Sequence, residues 1–222
     1  MKIISLSSTI AGPACAIATS IKKYFYNNNY QTNFFDYLEI SFLSVLEVLS
    51  IIDINSILNN NIIMLNKDNN MTIDFKNFDK ILSHHDLHNN YNDSDYKSAI
   101  YKYIRRYNRL MNDIKTEDEI YFIRFGIEDT SLIYNFINKI KEINPLLKFK
   151  FINLIYNDNN NLNYQVINDN YILINFFDYI DINKKYSDDL YFKTIEFDWY
   201  IVYNIIYNEL DNKYKNSFIY TC

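Results

Sequence analysis

The chain has 222 residues, 49% of them hydrophobic, enough to bury a substantial core within a single domain. Its 22 Lys and Arg against 27 Asp and Glu leave a net charge of -5, which argues against a nucleic-acid partner held by phosphate neutralisation. Apolar runs such as Phe42 to Ile52 are too short for a bilayer and the Met1-Lys2-Ile3-Ile4-Ser5 start lacks a secretory stretch, so no membrane partner and a cytoplasmic address are expected.

Lys2 to Ser7 is a short β-prone run ending in small residues, and Pro13 suits the first turn of a following helix. A strand, a loop and a helix are therefore predicted, with Cys15 in the helix's opening turn. Asparagine tracts at Asn27–Asn29, Asn59–Asn61 and Asn159–Asn161 read as surface loops, because the amide side chain competes with the backbone for hydrogen bonds. Ser41 to Ile52 carries apolar residues at helical spacing, and Asp95 to Ile114 does so through Ile100, Ile104, Tyr107 and Met111. Glu119 to Phe125 predicts a strand closed by Gly126, and a helix from Asp129 to Ile143 is stopped by Pro145. Leu147 to Tyr156 and Tyr171 to Phe177 predict two further strands. A last helix is predicted over Asp198 to Leu210, with Asp198 as its N-cap. Strands alternating with helices imply one α/β domain over residues 1–222: a largely parallel sheet, covered by helices and joined by right-handed crossovers.

In such a sheet, ligands collect beyond the carboxyl ends of the strands. That edge would carry the segment from Gly12 to Cys15, the segment from Arg124 to Asp129, and Asp178. If Lys80 to Ser83 is one more parallel strand, His84 and His85 join them.

Composition points to the same places. Heavy use of Asn, Ile, Lys and Tyr suggests an A/T-rich genome, so residues that need G or C in their codons stand out. Four of the five alanines, Gly12 and Pro13 fall within Ala11 to Ala18, around Cys15. Three of the four arginines lie in Arg105 to Arg109, and the fourth, Arg124, stands two residues before Gly126.

A thiol at a helix N-terminus feels unpaired N–H groups and the positive end of the macrodipole, which favour the nucleophilic thiolate. Cys15 is thus a candidate nucleophile, or else a small apolar side chain packing the first helix on the sheet. With Cys222 at the far end of the chain, a disulfide is not expected and both thiols should be reduced. Ser83-His84-His85-Asp86-Leu87-His88 holds all three histidines, so one of them must be the base if Cys15 works with an imidazole. The alternative is an exposed polar loop. With no second Cys/His cluster, no metal or cofactor is expected. The Arg105-Arg106-Arg109 group would hold an anionic substrate or form a solvated, salt-bridging helix face. Arg124 would bind a carboxylate or phosphate, or pair structurally with Glu128 or Asp129. Phe34-Phe35-Asp36-Tyr37 sets a carboxylate among aromatics after the first helix. The many tyrosines and phenylalanines read as core filler rather than a base-stacking platform.

Ser5-Leu6-Ser7-Ser8, then Pro13-Ala14-Cys15-Ala16, then Asn33-Phe34-Phe35-Asp36-Tyr37 resemble an uncharacterised family of bacteria and giant DNA viruses. Its members are described as papain-like cysteine peptidases. Ser83-His84-His85-Asp86, the arginine-rich helix from Tyr103 to Leu110 and the strand Ile120-Tyr121-Phe122-Ile123-Arg124 match its later motifs in order. The resemblance spans Met1 to Tyr156, though Tyr37 stands where tryptophan is usual and the doubled histidine blurs assignment. It implies Cys15 as nucleophile, His85 or His84 as base, and a papain-like α+β alternative in which the cysteine helix packs on an antiparallel barrel.

The leading expectation is a cysteine-dependent hydrolase or acyl transferase acting on a protein or small acyl substrate. Helix-start N–H groups would hold the oxyanion, and Asp36 or Asp178 would orient the imidazole. The runner-up is a non-catalytic or glycan-modifying α/β protein binding an anionic ligand through Arg124. A virus-encoded interaction protein is the third reading.

Overall fold

The computed structural model describes residues 1–9, 11–26, 30–60, 62–67, 70–83, 93–156, 163–176 and 204. His84, His85, His88, Asp178, Cys222, nearly all of the expected helix from Asp198 to Leu210, and the asparagine tracts at 27–29 and 159–161 lie outside the described residues.

In chain order the elements are β1 (Lys2–Ser8), α1 (Ala11–Tyr26), β2 (Leu38–Ile40), α2 (Phe42–Leu49), α3 (Ile54–Asn60), β3 (Ile62–Lys67), β4 (Asn70–Phe75) and β5 (Ile81–Ser83). They continue with α4 (Asp93–Thr116), β6 (Glu119–Phe125), α5 (Thr130–Ile143), β7 (Lys148–Tyr156), β8 (Asn163–Asn168) and β9 (Tyr171–Phe176). Among the described residues the expected helices and strands over Lys2–Ser7, Ser41–Ile52, Asp95–Ile114, Glu119–Phe125, Asp129–Ile143, Leu147–Tyr156 and Tyr171–Phe176 appear close to where the sequence placed them. Short or asparagine-rich elements, β2, α3, β3, β4 and β8, were not expected. Asn59 and Asn60, read as loop, close α3 instead.

Among the described residues the strands form one sheet in the order β3-β4-β5-β2-β1-β6-β7-β9-β8. The centre, from β2 through β1, β6 and β7 to β9, is parallel. The margins are antiparallel: β3, β4 and β5 on one side, β8 on the other. A mostly parallel α/β sheet is therefore present, as expected, with antiparallel margins that were not expected. The reason is connection length: Asp169 and Asn170 between β8 and β9, like the few residues between β3 and β4, are too short for a crossover and can only turn the chain back.

Side chains alternate across the sheet, so Ile3 of β1 faces one layer while Ile4 and Leu6 face the other. On the first face α1 buries Ile17 and Ile21 against Ile3, Tyr121 and Ile123. On the second, α2, α3, α4 and α5 bury Val45, Leu58, Tyr103 and Phe136 among a T-shaped and stacked aromatic set. The cysteine helix thus packs on parallel strands, not on the antiparallel barrel of the papain-like alternative.

From β1 the chain crosses by α1 to β2, and from the adjacent β6 it crosses by α5 to β7 on the opposite side and over the opposite face. The carboxyl ends of β1 and β6 therefore flank a topological switch point. β5, expected to be parallel, runs antiparallel to β2, with Ile81 opposite Ile40 and Ser83 opposite Leu38. Its carboxyl end accordingly lies toward the amino end of β2. Lys80, at the other end of β5, reaches the carboxyl edge, where its ammonium donates to the Thr9 carbonyl at 3.2 Å and pairs with Glu39.

Ser41 turns the chain from β2 into α2. Its side-chain oxygen accepts from the Ser44 N–H at 3.1 Å, and the Ser44 hydroxyl in turn accepts from the Lys80 N–H at 2.9 Å. Replacing Ser41 with alanine should cost about 1 kcal/mol, measured as a lower urea midpoint with an unchanged slope.

Candidate functional site

Cys15 is the fifth residue of α1, not a member of its opening turn. Its amide lies within the reach of intrahelical bonding, and the unpaired N–H groups of the helix belong to residues before it, among which Pro13 has none to offer. The expected acidification is absent. Burial pushes the half-buried thiol up from its ordinary value. Gly12 lies in the first turn of the same helix. The helix start is therefore a turn away from the sulfur, and an oxyanion held by those N–H groups does not follow from this placement.

What does sit beside the cysteine is Tyr37. The Tyr37 phenol is raised by burial, lowered by a hydrogen bond with the Thr19 hydroxyl, and raised further by Asp36 and by Cys15. Cys15 and Thr19 are four apart on α1 and share a face, so the Tyr37 ring reaches over that face. Tyr37 holds a left-handed backbone, φ 64°, a conformation that costs an aromatic residue about 1–3 kcal/mol. Ser7 is also left-handed, φ 59°, within the irregular stretch of β1 between Ser5 and Ser8. The two are tied together: the Ser7 hydroxyl donates to the carbonyl of Leu38, the residue after Tyr37.

Asp36 is fully buried. One carboxylate oxygen accepts from the Tyr30 hydroxyl at 3.0 Å and the Asn33 amide at 2.9 Å; the other accepts from the Asn33 backbone N–H at 2.7 Å. Burial pushes its pKa up to about 7, held back by the Asn33 backbone, the Tyr30 hydroxyl, the charge of Arg106 and the Asn33 side chain. Both oxygens are engaged within the Tyr30-to-Tyr37 loop, so Asp36 braces that loop rather than presenting a free carboxylate to an imidazole. The loop is also held by α4, where the Arg109 guanidinium donates to the Thr32 carbonyl at 2.6 Å.

Tyr103 of α4 is fully buried, with its phenol pushed up to about 12 by burial and partly restrained by a hydrogen bond with the Ser83 side chain and by Arg106. The last residue of β5 is thereby fixed to α4, beside Leu38. Three segments picked out in the sequence meet here: α1 with Cys15, the Asp36-Tyr37 turn, and the carboxyl end of β5. The histidines follow Ser83 directly in sequence, and His84, His85 and Asp178 lie outside the described residues.

Arg124 is elsewhere and otherwise employed. It is completely buried on the second face of β6, where Nε donates to Glu128 Oε1 at 2.6 Å, one terminal nitrogen donates to the Leu6 carbonyl at 2.8 Å and the other to the Ile40 carbonyl at 2.9 Å. Its guanidinium also lies 5.0 Å from the centroid of the Phe42 ring. Assigning Arg124 to an external carboxylate or phosphate is therefore corrected: its donors serve the sheet. Burial lowers the pKa of Arg124 and raises that of Glu128, and each opposes the shift of the other, the behaviour of an ion pair closed off from water. Thr19 was not singled out from sequence, Tyr37 entered only as the last residue of an aromatic motif, and Lys80 only as the start of a candidate strand. The four-residue spacing of Cys15 and Thr19 was visible there, but nothing local foretold that Lys80 would reach Thr9.

Among the described residues no helix is long and apolar enough to cross a membrane. No protein-family model matches the chain, and no curated protein or solved structure matches it.

Replacing Arg124 with methionine should destabilise the fold by about 3–5 kcal/mol in urea denaturation, because Glu128 and two strand carbonyls lose a buried partner. Adding Glu128→Gln should recover part of that loss. For Asp36, the unfolded chain loses its proton near 3.8 while the folded chain keeps it to about 7. Between those values the unfolded state gains relative to the folded one, so the group's contribution falls as pH rises through the window and is constant above it. The stability difference between the parent and Asp36→Asn should therefore favour the parent more at pH 4 than at pH 8, read from urea midpoints at both.

Proposed function

We propose that the chain is a cysteine-dependent hydrolase or acyl transferase with Cys15 as nucleophile and His85, or its neighbour His84, as base. The observation that carries the reading is the convergence of the Cys15 face of α1, the left-handed Tyr37 and the end of β5 at Ser83. Motif order alone supports the narrower peptidase form, with its cysteine, phenylalanine-aspartate and histidine-aspartate segments. The cytoplasmic address and a protein or small acyl substrate belong to the same proposal.

The raised thiol shapes the chemistry. A sulfur held neutral by burial does not rest as a thiolate, so proton loss accompanies attack: the imidazole takes the thiol proton as sulfur bonds to the carbonyl carbon. The bond from that carbon to the leaving nitrogen or oxygen then breaks, and the departing atom receives the proton. Water or a second nucleophile attacks the thioester, gives its own proton to the imidazole, and returns the sulfur to its thiol form. Burial of the cysteine thereby makes the enzyme depend on its base more strongly than one with a preformed ion pair.

In a Cys222→Ser background, iodoacetamide should modify Cys15, located by peptide mass spectrometry, and Cys15→Ala should abolish the adduct. The rate should show an inflection near the imidazole range, about 6.5, that disappears in the histidine variant that removes the base. A single rise only above the ordinary thiol range of about 8.5, unchanged by His84→Ala and His85→Ala, sinks the proposal.

A further inference from the structure

The acidic chain concentrates its arginines on one stretch of α4, next to this site. Lys102, Arg105 and Arg106 are spaced three and four apart, so they lie along one side of the helix. No acid stands three or four residues from any of them; those positions hold Ser98, Ala99, Tyr101, Tyr103, Asn108, Arg109 and Leu110. The salt-bridged face offered as one reading of this helix is therefore absent from its own sequence neighbours.

Lys102 and Arg106 flank the Tyr103 ring, at 5.5 Å and 5.7 Å from its centroid. Like charges this close oppose one another: burial, then Arg106 and Arg105, depress Lys102 to about 8. Among the described residues Arg106 acts on Asp36 through its charge, yet the two form no ion pair, and the Asp36 oxygens are occupied by Tyr30 and Asn33. Arg106 Nε is buried and, among the described residues, has no hydrogen-bond partner. A buried guanidinium donor without an acceptor, inside a cluster of repelling cations, is a half-made interaction. Its field also reaches Tyr37, the residue over Cys15.

The geometry points to an anion-binding subsite centred on Arg106, with Lys102 and Arg105 adding to its field, that holds a carboxylate or phosphate group of the acyl substrate of Cys15. This rests on the cysteine-dependent reading above and adds its substrate class. An oxyanion beside the half-buried guanidinium offsets the repulsion along the helix.

The test compares iodoacetate with iodoacetamide on the Cys222→Ser protein. Both alkylate by the same step, in which sulfur bonds to the methylene carbon as iodide leaves, and they differ in one negative charge. The ratio of the iodoacetate rate to the iodoacetamide rate should exceed that of free cysteine by about tenfold, and Arg106→Gln should remove most of the excess while Arg106→Lys keeps part of it. Raising sodium chloride on the unsubstituted Arg106 protein should shrink the ratio, which keeps the test open if Arg106→Gln does not fold. At fixed ionic strength, stronger protection by inorganic phosphate than by succinate assigns a phosphate-bearing substrate, and the reverse a carboxylate-bearing one. Normal iodoacetamide labelling with no iodoacetate preference overturns the subsite and leaves the nucleophile standing. Absence of labelling at Cys15 by either reagent overturns the cysteine reading and the subsite with it.

Discussion

A single buried cation, Arg124, organises the centre of the sheet. Taking a guanidinium out of water is costly, and it is tolerated only where its donors find acceptors in good geometry. Here one comes from β1 through Leu6, one from the end of β2 through Ile40, and one from Glu128 ahead of α5. These are the elements that meet around the switch point, and the Phe42 ring at the start of α2 covers the same guanidinium. Gly126, φ 134°, two residues further on, lets the chain leave β6 with Glu128 turned back toward Arg124, in a backbone conformation that other residues adopt only with strain.

That arrangement fills with protein donors and acceptors the edge where an α/β sheet ordinarily holds its ligand. Lys80 adds to the closure by donating to Thr9 and pairing with Glu39. The grouping of chemistry-bearing segments lies instead toward the amino end of β2. This strand is only three residues long, so its margin must be completed by the Tyr30-to-Tyr37 loop. The loop meets α1 through Tyr37 and α4 through Thr32 and Asp36.

The electrostatics of this corner are poised rather than neutralised. Asp36 is held among three hydrogen-bond donors, yet burial still lifts its pKa to about 7. Arg106 lies within the field of Asp36 without joining it, and burial raises the Cys15 thiol above its ordinary value. Local backbone strain accumulates at Ser7 and Tyr37, joined through the Ser7 hydroxyl and the Leu38 carbonyl, and strain of this kind persists only where neighbouring contacts over-determine it.

The sequence by itself determined the long periodic elements: α4 and α5 by their apolar spacing, β6 and β7 by their apolar runs, the end of α5 by Pro145. Each is specified by its own residues, and so each was legible one segment at a time. Cys15, Asp36 and the arginine-rich helix were legible as residue types set apart from a biased composition. Tertiary structure alone decided what they do together. β5 is too short to declare its direction, and pairing with Leu38 rather than any local signal made it antiparallel, turning its carboxyl end away from the expected edge. The helix position of Cys15 suggested an acidic thiol, but burial, which tertiary packing sets, raised it instead. Arg124 looked like a ligand-binding residue because its acceptors, Leu6 and Ile40, are backbone carbonyls 118 and 84 residues away, and no local pattern in a sequence announces a bond to a distant main chain.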